Sequence, residues 1–100
     1  MVESSLNAEG KENAQQGLEG KVRRVLVDVW KDWGKGEPSK YESFLDERDI
    51  KILTLRYGVP SYWGKPLNLK EIGERFLIGK ERVRQIITRA AYKINLHYTG

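Results

Sequence analysis

The sequence contains no cysteine, which removes both a disulfide framework and any thiolate metal site. Its single histidine, His97, has no clustered His or Asp partner nearby and is read as neither metal ligand nor catalyst. No apolar run approaches the roughly 20 residues that span a bilayer. The first ten residues lack the basic-then-apolar order of a signal peptide. A membrane partner is therefore not expected, and a reducing cytoplasm is compatible with the composition. Three further absences argue against an enzyme: paired carboxylates in an apolar setting, a nucleophile beside a base, and a phosphate-cradling glycine loop. No catalytic residue, metal site or cofactor is expected.

What is present suffices for one small domain. Hydrophobic residues make up 39% of the 100, with three Trp and five Tyr to fill a core. The net charge is +4, and its distribution is uneven. Residues 1–68 carry eleven Lys/Arg and eleven Asp/Glu, whereas residues 69–100 carry seven Lys/Arg against three Glu. The whole excess sits in the last third of the chain. A basic stretch of this kind is either a solvated helical surface or the footprint of a polyanion partner.

Residues 1–20 are polar and aperiodic and read as a flexible leader or linker. The domain is expected over 21–100. Val22, Val25, Leu26, Val29, Trp30 and Trp33 follow the spacing of one helical face, which Gly34, Gly36 and Pro38 terminate. The tryptophan stripe reads as core. Tyr41, Phe44 and Leu45 are expected to tuck against that core. Asp46, with Asp49 three residues on, opens a second helix running to Tyr57, with Gly58 as its C-cap. Residues 58–67 form a loop whose Tyr62 and Trp63 either fold back on the core or form an exposed contact.

Asn68 to Ile94 reads as two helices joined by a short turn. Asn68 and Glu71 have capping-box spacing before Leu69–Phe76. Gly73 sits mid-helix, where glycine costs about 1 kcal/mol relative to alanine; a second helix crossing close by would explain it. Leu77-Ile78-Gly79 form the turn, and the next helix begins near Lys80. This is the pattern of a helix-turn-helix, over about residues 69–94, whose second helix enters the DNA major groove. The last residues, Asn95 to Gly100, are expected to fray.

With successive residues about 100° apart and Lys80 at zero, Val83, Ile86, Ala90 and Ile94 cluster at about 240–320° as a buried face. Ile87 borders it. Lys80, Glu81, Arg84, Gln85 and Thr88 fall at about 0–140°, on the opposite side. These side chains suit base edges: Arg or Lys donates to guanine, Gln pairs with adenine, and Glu accepts from cytosine. A carboxylate aimed at a polyanion is useful only if sequence is being read. Arg82 and Arg89 lie on a flank that suits phosphate.

Four blocks then fall in a familiar order: Leu45-Asp46-Glu47-Arg48, Leu55-Arg56-Tyr57-Gly58, Leu69-Lys70-Glu71-Ile72-Gly73, and Lys80-Glu81-Arg82-Val83-Arg84-Gln85-Ile86. Together they resemble region 4 of bacterial RNA polymerase sigma factors, over residues 45–94. The last block is the most specific. The resemblance implies an all-α domain that binds the upstream, minus-35, element of double-stranded promoter DNA. It implies positions facing bases or nearby phosphates for Lys80, Glu81, Arg84 and Gln85, and positions near the DNA backbone for Arg48, Arg56, Leu69 and Lys70. It further implies docking on the beta-subunit flap of the RNA polymerase core, activators or an anti-sigma protein as additional partners, and a place in the cytoplasm at the bacterial nucleoid. The sequence departs from the family pattern at Gly79 (usually Thr), Lys80 (usually Arg) and Ile87 (usually Glu), and in a loop over 59–68 about two residues longer. Two other functions fit the residues. One is a small dimeric helix-turn-helix regulator that pairs through Trp30/Trp33 or Ile87. The other is a polymerase or anti-sigma interaction module that reads no DNA.

Overall fold

The computed structural model describes residues 2–59 and 65–98, with side chains from residue 17 onward. Four α-helices and one 3₁₀ turn follow one another: α1 (Val2–Gly34), the 3₁₀ turn (Lys40–Ser43), α2 (Glu47–Tyr57), α3 (Leu69–Phe76) and α4 (Lys80–His97). The described residues are thus all-α, as expected. None of their helices is long and apolar enough to cross a membrane.

The apolar stripe of α1 is the reason the helix docks. Val22, Val25, Leu26 and Val29 are fully buried, each removal from water stabilising by about 1.5–3 kcal/mol. The backbone is helical from Val2, so it continues through the stretch read as a flexible leader. Described side chains pack on the core only from Leu18 onward. Trp30 and Trp33 are half-buried rather than fully internal, and each uses its indole N–H. Trp30 donates to Thr54 Oγ1 at 2.8 Å and Trp33 to Glu42 Oε2 at 3.1 Å. The rings meet edge-on, 4.9 Å apart. Thr54 in turn donates to the Ile50 carbonyl, so this buried hydroxyl is satisfied twice.

Local signals end and start each element. Glu42 closes a capping box on the Ser39 N–H at 2.6 Å, and this bond, with that from Trp33, lowers the Glu42 carboxyl below its ordinary range. Asp49 accepts from the Asp46 N–H at 3.1 Å at the head of α2. Gly58 ends α2 at φ 65°, and Pro66 packs where its side chain would be, 3.0 Å from an ideal Cβ. The Leu67 N–H donates to the Leu55 carbonyl, which pins the following loop to α2. Tyr62 and Trp63 lie outside the described residues. Val59, at the loop's start, is buried in the core.

Two apolar clusters share the interior. One joins α1, Tyr41, Leu45, Ile50, Leu53, Val59, Ala90, Ala91 and Ile94. The other joins Ile52, Ile72, Val83 and Ile86 beneath the helix-turn-helix. Helix α2 therefore buries two faces, Ile50 and Leu53 on one side and Ile52 on the other. Ile87 packs against both clusters. It ties α4 to the remainder of the domain. Ala91 is also buried, although its helical angle of about 20° is that of the exposed face. Helix α1 packs on α4, and the buried face widens towards the C-terminal half of α4. That same packing keeps α4 helical through His97, whose ring stacks on Phe44 at 4.6 Å, where the sequence suggested fraying.

Candidate nucleic-acid interface

Helix α3 begins with a reciprocal capping box. The Asn68 side chain accepts from the Glu71 N–H at 2.8 Å, and Glu71 accepts from the Asn68 N–H at 2.9 Å. Its C-cap, Leu77, adopts the left-handed conformation at φ 58°. The N–H groups of Leu77 and Ile78 both reach the Gly73 carbonyl. This folds the turn back onto α3. An ideal Cβ on Gly73 would lie 2.6 Å from the Ile78 carbonyl oxygen. The close approach inferred for Gly73 is therefore real; its tightest contact is the turn's own backbone, with the N of Lys80, the first residue of α4, at 3.5 Å. The bare backbone at Gly73 sets the distance between α3 and the start of α4.

Helix α4 is held on its inner side by Val83, Ile86, Ala90 and Ile94, all buried. Lys80, Glu81, Arg84, Gln85 and Thr88 are all exposed, as are the flanking Arg82 and Arg89. The angular assignment thus holds at each of these positions. Within the exposed face, Glu81 and Arg84 form a forked ion pair: Nε and Nη2 of Arg84 both meet the carboxylate, the shortest contact being 2.6 Å. That hydrogen bonding, and next the carboxylate charge, raise the Arg84 pKa further above its ordinary value. The pair holds an arginine fork and a carboxylate side by side. Arg82 Nη1 approaches Gln85 Oε1 at 3.5 Å, the limit of a hydrogen bond.

The positions assigned to the DNA backbone are spread over three helices. Arg48 and Lys70 are exposed on α2 and α3. Arg56 is exposed and donates to the Leu67 carbonyl at 3.3 Å, so it also braces the loop before α3. Leu69 is half-buried, with its side chain packed against the second cluster. What it can offer to an anion is its N–H at the first turn of α3. Tyr92 is a further exposed residue of α4 that the sequence reading did not single out. It is 62% exposed and shares a shallow surface depression with Arg84, Gln85, Thr88 and Arg89. Extending the angular placement by one more turn finds it at about 120°, on the same face.

Gly79 is the N-cap of α4, with extended backbone (φ −72°, ψ 157°) and no side chain to cap the first turn. An ideal Cβ there meets nothing within 4 Å. Gly79→Ser is therefore expected to stabilise the domain by a few tenths of a kcal/mol, through a hydroxyl that accepts from the α4 first turn. A melting midpoint raised by about 1–3 °C would bear this out; a lowered midpoint would refute it.

Residues 43–95, more than half of the chain, match the family model described as sigma-70, region 4. A chloroplastic RNA polymerase sigma factor of Arabidopsis thaliana is 42% identical over 73 residues, which is 73% of this chain and 13% of that protein. A Synechococcus elongatus RNA polymerase sigma factor is 36% identical over 58 residues, 58% of this chain and 18% of the relative. One from Mycoplasma genitalium is 38% identical over 50 residues, 50% and 10% respectively. The chain thus spans less than a fifth of the length of each of these relatives. No solved structure matches it. The matched stretch takes in α2, the capped α3, the glycine-tightened turn and nearly all of α4, and on that ground the chain belongs to the sigma-70 region 4 family.

Proposed function

We propose that the domain binds double-stranded promoter DNA at the minus-35 element, with α4 in the major groove, in association with RNA polymerase. The observation that carries this reading is the exposed face of α4, where Lys80, Glu81, Arg84, Gln85 and Thr88 project together from a rigidly packed helix. Arg84 and Lys80 donate to guanine edges, Gln85 to adenine, and Glu81 accepts from cytosine N4. Arg82 and Arg89 flank the face and take phosphates, as do Arg48, Arg56 and Lys70, together with the Leu69 N–H. The relatives support the setting, since each is an RNA polymerase sigma factor.

Polymerase docking falls to a second surface. A hollow of about 290 Å³ is lined by Trp30, Thr54, Leu55 and Phe76, with Lys51 and Arg75 beside them. An apolar floor with two cations suits an apolar segment flanked by acidic residues, and we assign it to the beta-subunit flap. Activators or an anti-sigma protein would act on what the DNA and the flap leave free. The domain's place is with the DNA, in the cytoplasmic nucleoid.

Selection of bound sequences from a random duplex pool tests this. A single direct hexamer is expected. An inverted repeat would point to a dimeric regulator, although Ile87 and Trp33, two of the residues such a dimer would use, are engaged within the domain. No enrichment would favour a module that reads no DNA. Arg89→Ala is expected to weaken all duplexes about equally and to reduce the slope of log affinity against log salt by about one. An unchanged slope would remove Arg89 from the phosphate contacts.

A further inference from the structure

We infer that Tyr92 is a further DNA contact, its hydroxyl donating to a backbone phosphate just beyond the bases read by α4. This rests on the proposal that α4 lies in the major groove. The geometry is specific. Tyr92 is twelve residues beyond Lys80, at about 120°, between Glu81 at about 100° and Gln85 at about 140°. It lies one turn past Thr88 and forms one depression with Arg84, Gln85, Thr88 and Arg89. Its neighbours Ala90, Ala91 and Ile94 are buried, whereas Tyr92 itself is 62% exposed. Among the described residues, Tyr92 belongs to neither apolar cluster, so their packing does not explain a large aromatic ring at this position.

The helix rise argues for phosphate over base. At 1.5 Å per residue, Tyr92 sits about 10 Å along the helix from Gln85. The major groove is about 12 Å wide, and a recognition helix reads bases with its N-terminal residues. More than three turns past Lys80, α4 has left the base edges and passes the sugar-phosphate wall. Tyrosine is among the side chains that donate to phosphate oxygens. Arg89 lies one turn before Tyr92 and Lys93 directly follows it, cations that suit an anion here, while the exposed Leu96 lies one turn further on, beyond the proposed contact.

The contact has a signature that separates it from the arginines. A neutral hydroxyl displaces no condensed counterion, so its removal lowers affinity without changing the salt slope. Tyr92→Phe, Tyr92→Ala and Arg84→Ala should be compared with the unaltered 100-residue chain on the selected duplex across a salt series. The expected result for Tyr92→Phe is affinity about three- to ten-fold lower, an unchanged salt slope and unchanged base preference. A scan of single methylphosphonate substitutions along the duplex should show one position that weakens the unaltered chain but not Tyr92→Phe. If Tyr92→Phe and Tyr92→Ala bind like the unaltered chain while Arg84→Ala has lost binding, the tyrosine assignment is overturned and DNA reading stands. If Tyr92→Ala weakens binding but Tyr92→Phe does not, the hydroxyl contact is likewise overturned. If the unaltered chain prefers no duplex, the DNA-reading proposal falls, and the tyrosine contact with it.

Discussion

Gly73→Ala is expected to destabilise the domain by about 2 kcal/mol, even though alanine is the better helix former. Two effects of opposite sign compete. Propensity favours alanine by about 1 kcal/mol in a helix interior. Against it stands the 2.6 Å approach of an ideal Cβ to the Ile78 carbonyl oxygen. That obstacle is backbone, not the tip of a flexible side chain. Moving it loosens the N–H bonds from Leu77 and Ile78 to the Gly73 carbonyl and shifts the start of α4. It also disturbs the cluster of Ile72, Val83 and Ile86 directly below. The clash should win, with a melting midpoint lower by about 8–16 °C for a domain of this size. Gly20→Ala is the internal comparison. Gly20 is also helical, but nothing lies within 4 Å of its Cβ position. There propensity acts alone, and a gain of up to about 1 kcal/mol is expected. If both substitutions raised the midpoint, the turn would be shown to relax freely and Gly73 would not set the spacing of the two helices.

The largest expected effect on binding is that of Arg84→Ala. It should weaken the selected promoter duplex by about 1–3 kcal/mol, some 5- to 150-fold, and relax base choice at one position. Stability should hardly change. The Glu81–Arg84 pair is solvent-exposed at both partners, where screening by water leaves an ion pair little net stabilisation. For the proposed DNA contact the pair matters for geometry: the carboxylate holds the guanidinium fork on the exposed face of α4, which would lower the ordering cost on binding. Competition between the selected duplex and single-base variants measures the relaxation. A uniform loss across all duplexes would reassign Arg84 from base to phosphate, and no loss at all would remove it from the interface.

Helix α4 was the most legible part of the chain. Its apolar residues recur at the helical period because one side must leave water, so Val83, Ile86, Ala90 and Ile94 could be assigned without coordinates. The capping residues were equally readable, since Asn68, Asp46 and Gly58 act on backbone groups only a few positions away. Ile87 was harder, because its angle falls at a border and only the presence of two clusters decides its fate. Ala91 is buried at an angle of about 20° for the same reason. A single helical wheel assumes one partner along the whole helix, whereas α4 packs on α3, α2 and α1. Thr54 gave no signal at all, because its role depends on the Trp30 indole, 24 residues away.

What the sequence by itself determined is local in origin: helix periods, caps, the position of the helix-turn-helix, the basic excess after residue 68 and the motif blocks that identify the family. These arise from hydrogen bonds and side-chain spacing within one or two turns, which the order of residues already encodes. The tertiary structure alone decided which carbonyl crowds Gly73, how Ile87 joins two clusters, why His97 remains helical, and that Ala91 is buried beside an exposed Tyr92. Each of these depends on groups brought together by packing. Helical order along one segment does not specify which neighbouring segment covers it.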